Sequence, residues 1–355
     1  MAASVKRGEL GPDEQPALKP ISVSDVDSEL ATTWRTFSAT RGDGMPMRSC
    51  TMNLLTLVPD PAQSVDASAV IARLAASHPI RAITIVEDNE SPDEAVRAWV
   101  GIDCAAGPPG ADNCGAEIML RAHPDSGERV VSAVRGLLAA DLPVIVWWRG
   151  GPPLRAPLFR SIGGFADKII VDSVRFGDGE AGLDTLRRLI EYVNRATAIA
   201  DLNWARVAPW RLTLAACFDH ADVLALLPQL DRCSVEFAAS PLRTTPPSAR
   251  ALLLGGWIVS RLPRLAGRIR LIPKPDPGRQ SGLVLGIAFS SSRSRAQLGL
   301  RWAQAGADMS AVALDAAGNE VRRWNAQREA PGEAELLHDC IDQAGSDPLL
   351  EAALA

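Results

Sequence analysis

The sequence predicts an α/β protein: a doubly wound, mostly parallel sheet domain followed by a second, α+β domain. Three observations predict it. The first is the run Asp141-Leu142-Pro143-Val144-Ile145-Val146-Trp147-Trp148-Arg149-Gly150-Gly151-Pro152-Pro153. Its unbroken apolar centre, rich in β-branched residues and stopped by Gly and Pro, reads as a strand buried on both faces. The second is its setting. A helix-like segment (Glu128 to Ala140) precedes it, and another helix-like segment (Pro157 to Phe165) and strand (Lys168 to Ser173) follow, the alternation of a parallel sheet. The third is the change of rhythm beyond residue 177, where helices come first and then a series of short strands.

In chain order, Met1 to Ile21 is polar and carries Pro12, Pro16 and Pro20, so residues 1–45 read as a disordered arm with one short helix (Ser24 to Phe37). The Rossmann-like α/β domain is expected over residues 46–176. Its strands are Met47 to Val58, Arg81 to Val86, Trp99 to Cys104 and Cys114 to Ala122, with a helix at Asp66 to Ser77. The pair Trp99 to Cys104 and Cys114 to Ala122 brackets a Gly-Pro-Pro-Gly loop and predicts an antiparallel edge.

The α+β domain is expected over residues 177–355. It opens with a helix from Leu183 to Ile199, and Pro209 at the first turn of a new helix follows. Then come a short helix (Val223 to Leu230), a strand (Ser234 to Ala239), a helix (Ser248 to Leu262) and a strand (Arg268 to Ile272). Leu283 to Phe289, Leu298 to Ala303 and Met309 to Leu314 read as a meander, and Glu333 to Ala344 as a closing helix.

Composition narrows the function classes. A net charge of -5 argues against a general nucleic-acid binder. No apolar segment reaches the roughly 18 residues of a membrane span, and the N-terminus is too polar for a signal peptide, so the cytoplasm is the expected compartment. Nine Trp stand against one Tyr and seven Phe. Trp near Gly, Pro and Arg suits first of all large core side chains beside turns, and secondly anchors of a protein contact.

Few residues offer chemistry. The six Cys show no C-x-x-C and no zinc spacing, and Cys50 and Cys217 sit in apolar runs. Cys104 and Cys114 approach one another if their loop is a hairpin. Gly177-Asp178-Gly179-Glu180-Ala181-Gly182 matches G-x-G-x-x-G, but Asp178 and Glu180 would repel a pyrophosphate, and the loop follows the last strand of its unit. A flexible linker is the better reading. Asp219-His220-Ala221-Asp222 reads as helix-end capping, because it lacks a spaced partner His for a metal. Ser290 to Arg295 could hold a phosphate, but a solvated loop is the better reading. His78 and His123 read as loop residues, and His338 as a surface residue of the last helix. No catalytic, cofactor or metal site is therefore expected.

Five blocks carry a family resemblance. They are Asp141-Leu142-Pro143-Val144 with Trp147-Trp148 and the Gly-x-Pro-Pro behind it, Cys50 to Leu54, and Ala166 to Ser173. The fourth is Asp201-Leu202-Asn203-Trp204-Ala205-Arg206 with Pro209-Trp210-Arg211, and the fifth is Leu253 to Leu262 with Gly256-Trp257. In this order, from Cys50 to Leu262, the chain resembles the bacterial glucose-6-phosphate dehydrogenase assembly protein family, OpcA. The resemblance implies a non-catalytic assembly factor or allosteric activator of glucose-6-phosphate dehydrogenase in the oxidative pentose phosphate pathway, favouring the active oligomer.

It also implies partner-binding roles for Trp204, Arg206, Trp210 and Arg211, whose types suit an anchor and a clamp. The alternative for these residues is structural, with Trp210 and Arg211 serving the packing of the two domains. Some relatives in photosynthetic bacteria resemble redox-switched proteins, which would give Cys104 and Cys114 a regulatory role. The rival reading of the whole chain is a sugar-phosphate- or nucleotide-binding enzyme or sensor, its site near Gly150-Gly151 at the carboxyl ends of the first sheet.

Overall fold

The computed structural model describes residues 20–40, 50–91, 95–105, 113–193, 196–240, 246–276, 279–302, 308–327 and 330–355. In chain order these form α1 (Val26–Thr40), β1 (Met52–Val58), α2 (Ser64–Ala75), β2 (Ile80–Glu87), β3 (Arg97–Ala105), β4 (Asn113–Ala122), α3 (Gly127–Leu137), β5 (Val144–Trp148), α4 (Pro157–Gly163) and β6 (Lys168–Val171). Next come α5 (Gly179–Tyr192), β7 (Ala198–Asp201), α6 (Leu202–Arg206), α7 (Ala208–Cys217), α8 (Ala221–Leu224), β8 (Arg232–Ala239) and α9 (Ala249–Arg261). The chain continues through β9 (Ile269–Pro275), β10 (Val284–Ser290), β11 (Gln297–Trp302), β12 (Asp308–Leu314), β13 (Glu320–Gln327), α10 (Glu333–Asp342) and α11 (Pro348–Leu354).

Two compact units result. One holds Met1–Val171, Val193–Ala200 and Glu333–Gly345; the other holds Asp172–Tyr192, Asp201–Gly332 and Ser346–Ala355. Where the sequence suggests one cut near residue 177, contacts interleave the segments, and the helix at 333–342 belongs with the first unit. The N-terminal arm, up to residue 19, lies outside the described residues.

The first unit is built on a seven-stranded sheet of order β3-β4-β2-β1-β5-β6-β7. β1 pairs in parallel with β2 and β5, β2 with β4, and β5 with β6, while β3 runs antiparallel to β4 as the expected edge. Without β3, the strands lie in the order third, second, first, fourth, fifth, sixth, which is the dinucleotide-fold winding. Every residue of β5 and β6 is buried, and only Met52 of β1 is not, as strands covered on both faces require.

Two of the family blocks are clamps on this sheet. Asn53, fully buried, donates from Nδ2 to the carbonyls of Ala139 (3.0 Å) and Leu142 (3.3 Å) and accepts the Ala139 N–H at 2.7 Å. It thereby fixes the α3–β5 connection, where Asp141 takes a φ of 61°. Asp167 accepts the Val144 N–H at 2.7 Å and sets the start of β5 against β6.

The sequence reading carries a helix through Ile199. The structure ends α5 at Tyr192 and places Ala198–Asp201 beside β6 as the seventh strand. Four apolar residues without alternation do not declare their period, so local pattern cannot separate them from a helix end.

The second unit carries a six-stranded sheet of order β13-β12-β11-β10-β8-β9. Four consecutive strands, β10 to β13, form the antiparallel meander, β8 adds antiparallel to β10, and β9 lies parallel to β8. Burial alternates along β12 with period two, the mark of a sheet with one covered face. Two elements carry no counterpart in the sequence reading, β13 and α11. Among the described residues no helix is long and apolar enough to cross a membrane.

Candidate functional site

The chain enters the second unit at Asp172 and again at Asp201, and both aspartates organise buried polar groups. Asp201, 1 % exposed, caps α6 by accepting the N–H groups of Asn203 (3.1 Å) and Trp204 (3.3 Å). The same carboxylate accepts the Ser173 N–H and Oγ–H, both at 2.8 Å. Asn203 donates from Nδ2 to Ser173 Oγ (3.1 Å) and accepts from Arg250 Nε (3.0 Å). Asp172 receives Arg206 bidentately, Nη1 to Oδ1 at 2.7 Å and Nη2 to Oδ2 at 2.9 Å. This is the fork geometry that makes arginine–carboxylate pairs strong.

Burial pushes the Asp201 carboxyl up to about 6, against donors that favour its anion. Burial also lowers Arg250, with Arg206 adding to the effect and Asp172 opposing it. Two family blocks, 166–173 and 201–206, thus converge on one satisfied network. Such a network rigidifies its surroundings. Asp201 titrates near a useful pH, yet a group this deeply covered reaches no substrate.

The four expected contact residues sit beside this network. Trp204 donates its indole N–H to Asp347 at 2.6 Å, and the Arg211 guanidinium lies 3.5 Å from the centre of the Trp204 ring. Burial pushes Arg211 down to about 10, with the Asp347 carboxylate pulling the other way. Trp210 meets Trp302 edge to face at 5.9 Å. Trp204 and Trp210 are each 3 % exposed, while Arg206 and Arg211 are half-buried. The structure therefore brings Trp204 to Arg211 and Arg206 to Asp172, and sends Trp210 elsewhere. The Asp201 cap and Pro209 set α6 and α7 so that both rings turn inward.

Asp172, Ser173, Asp201, Asn203 and Arg250 are site residues that the sequence reading did not single out. Asp201 followed by Asn203 had the signature of a cap; Arg250 had no signal, because its partner is 47 positions away.

The remaining candidates are occupied by the chain itself. At the carboxyl ends of β1 and β5, the nucleotide position of this winding, Trp148 fills the crevice. Its Nε1 donates to the Gly151 carbonyl at 2.7 Å and its ring meets Phe159 edge-on at 5.2 Å. A Cβ on Gly150 would stand 2.7 Å from that ring, so glycine is what lets the indole lie there. The cavity left between Pro59, Glu87, Trp148 and Leu158 has about 10 Å³, hardly room for one water and far below the roughly 300–1,000 Å³ of small-molecule sites.

The G-x-G-x-x-G stretch is not a linker. Gly179 opens α5 with a φ of 45°, and a Cβ there would stand 2.3 Å from the Pro247 carbonyl oxygen. The glycines answer to close packing.

Asp222 is taken by Arg322, Nη2 to Oδ2 at 2.8 Å, and that hydrogen bond holds its carboxyl below the usual range. In the loop after β10, Ser292 gives both its N–H (2.8 Å) and its hydroxyl to Asp231, so a carboxylate of the chain occupies the seat a phosphate would need. Burial pushes Cys217 up to about 11 and Cys233 to about 12, which leaves both as unreactive thiols. The backbones of Cys104 and Cys114 stand opposite one another in the β3–β4 register; their side chains lie outside the described residues.

Residues 71–188 match the family described as glucose-6-phosphate dehydrogenase subunit N-terminal domain, and residues 197–354 the corresponding C-terminal domain. The chain belongs to the glucose-6-phosphate dehydrogenase assembly protein family, OpcA. The first family domain contains the 166–173 block and the second contains the 201–211 block, so the network joins residues from both.

A relative from Synechocystis sp., named OxPP cycle protein OpcA, is 33% identical over 200 residues, covering 56% of this chain and 40% of its own length. A relative of the same name from Nostoc punctiforme is 32% identical over 172 residues, covering 48% of this chain and 35% of its own. The chain thus spans two-fifths or less of the length of these relatives. Among solved structures, an NAD binding oxidoreductase from Klebsiella pneumoniae aligns over 86% of this chain and 94% of its own. Its TM-score is 0.41 at 11% identity, a likeness too loose to bear on chemistry.

Proposed function

We propose that the chain is a non-catalytic partner of glucose-6-phosphate dehydrogenase that binds the active oligomer in preference to the inactive form. Membership of the OpcA family through both halves of the chain is the observation that carries this reading. Three features support it. The Asp, Ser and Arg groups of the second unit direct their hydrogen bonds to one another, Trp148 fills the crevice where this winding seats nucleotides, and the Cys217 and Cys233 thiols are unreactive.

A partner of this kind needs no chemistry of its own. It shifts the dehydrogenase by the difference between its affinities for the two forms, and a hundredfold difference corresponds to about 2.8 kcal/mol. In this reading Trp204 and Trp210 hold α6 and α7 in place, and only the half-buried Arg206 and Arg211 keep edges that a partner can reach. The cytoplasm is the compartment in which this reading places the chain.

The test is a titration of dehydrogenase activity against the purified chain, with the chain alone as control. Activity should rise to a plateau with added chain, and the chain alone should reduce no NADP. Steady NADP reduction by the chain without dehydrogenase would overturn the reading, as would dehydrogenase activity indifferent to saturating chain.

A further inference from the structure

In the first unit the turn after α2 carries Ser77-His78-Pro79, and α10 carries His338 and Asp342 one helical turn apart. The positions i and i+4 put the last two on one helix face. His78 Nε2 and His338 Nδ1 stand 2.7 Å apart, His78 Nε2 lies 3.6 Å from Asp342 Oδ1, and His338 Nε2 lies 3.4 Å from Asp342 Oδ2. One ligating atom from each of the three residues fits within a span of 4.8 Å.

We propose that His78, His338 and Asp342 bind a divalent transition-metal cation of the zinc class. The donor set fixes the class. Two imidazoles and one carboxylate suit zinc, cobalt, nickel or copper, whereas magnesium and calcium take oxygen donors. Zinc bonds nitrogen and oxygen at about 2.0–2.2 Å, which in a tetrahedron sets ligand atoms roughly 3.3 Å apart. His78 Nε2 and Asp342 Oδ1, 3.6 Å apart, are close to that spacing, while His338, which faces His78 with Nδ1 and Asp342 with Nε2, presents one of these nitrogens within the 4.8 Å span of the three donors.

The setting favours a cation over the bare contact. Two imidazole nitrogens at 2.7 Å are held together in the protein by one shared proton, with a carboxylate beside them. His78, with a side chain 12% exposed, is the inner ligand of the three. The helix that carries the other two ligands is anchored independently. The buried Lys168 ammonium donates to the carbonyls of Cys340 (2.7 Å), Ile341 (3.1 Å) and Gln343 at the end of α10. His338 and Asp342 are 40% and 57% exposed, so the cation has an entry path and solvent supplies the remaining ligand.

Bound there, the ion would tie α10 to the α2–β2 turn across 260 residues of sequence. A ligand that binds the folded chain and not the unfolded one raises stability with its concentration.

The proposal is tested on the untagged full chain after treatment with a chelator, by calorimetric titration with zinc chloride and by thermal unfolding. One zinc per chain should bind, the unfolding midpoint should rise with zinc, and magnesium chloride should do neither. His338→Gln and Asp342→Asn, both at partly exposed positions, should melt like the wild type without metal yet bind zinc at least about tenfold more weakly. Cobalt should give visible absorption bands of a low-coordinate site in the wild type, bands that His338→Gln loses. Zinc binding equal in His338→Gln and the wild type, or no zinc binding by the wild type, would overturn the assignment.

Discussion

Arg211 shows how one residue changes meaning between sequence and structure. Beside a Trp in a family motif it suits a partner contact, and on that view its loss would spare the fold. In the structure its guanidinium lies on the Trp204 face, its Nε is buried without a hydrogen-bond partner, and Asp347 completes the stack by accepting the Trp204 indole N–H. A desolvated cation–π contact is worth about 2 kcal/mol. Arg211→Ala should therefore lower the free energy of urea unfolding by about that amount, and Arg211→Lys should recover only part, because a point charge replaces a planar fork.

Asp201 supplies a second prediction at this scale. Folded, it holds its proton up to about 6; its ordinary value is 3.8. The folded state thus binds more protons between those values. Its contribution is fully present below about pH 4 and is lost as pH rises through about 6, a loss of about 3 kcal/mol. Asp201→Asn has no such titration. The stability advantage of the wild type over this variant, measured by urea unfolding, should therefore shrink by about that amount between pH 4 and pH 7. An advantage that grows with pH would show that the four donors outweigh burial.

At the scale of the element, β5 is the decisive strand. Trp147 and Trp148 point to opposite faces, and each is used differently. Trp147 is 1 % exposed with the Arg149 guanidinium 4.7 Å from its ring centre, while Trp148 closes the crevice over Gly150. Removing a buried indole costs about 3–5 kcal/mol. Trp147→Ala should cost that much by chemical denaturation. Helix ends show the same dependence on small signals. Ser248 caps α9 by accepting the Ala251 N–H, and Asp347 caps α11 by accepting from Leu349 and Leu350, with Pro348 at the first helical position. The cap of α11 was written in Asp347-Pro348-Leu349-Leu350, but seven residues near the end of the chain offer too little periodicity to make a helix of it.

At the scale of the whole molecule, the units are interleaved, and the return of residues 333–345 to the first unit is held by Lys168. Burial lowers the pKa of that ammonium, and its three donors end on carbonyls of α10 and the turn beyond. Hydrogen bonds to a charged group contribute about 1.5–3 kcal/mol. Lys168→Met should accordingly speed amide exchange across Glu333–Asp342 more than across β1 or β5. Uniform acceleration would mean that α10 opens only with the entire unit.

The sequence by itself determined the fold class, the central strand, the antiparallel edge, three of the four meander strands and the family, because each rests on local periodicity, turn residues or a contiguous motif. It did not determine β7, whose four apolar residues belong to a strand only because β6 lies beside them. Nor did it determine that Trp204 and Trp210 face inward, since burial depends on where α6 and α7 are directed. Arg250 reaching Asn203, and His78 reaching His338 across 260 positions, were decided by tertiary structure alone. Contacts between distant segments leave no trace in local pattern, and only the closed chain brings those atoms within hydrogen-bonding distance.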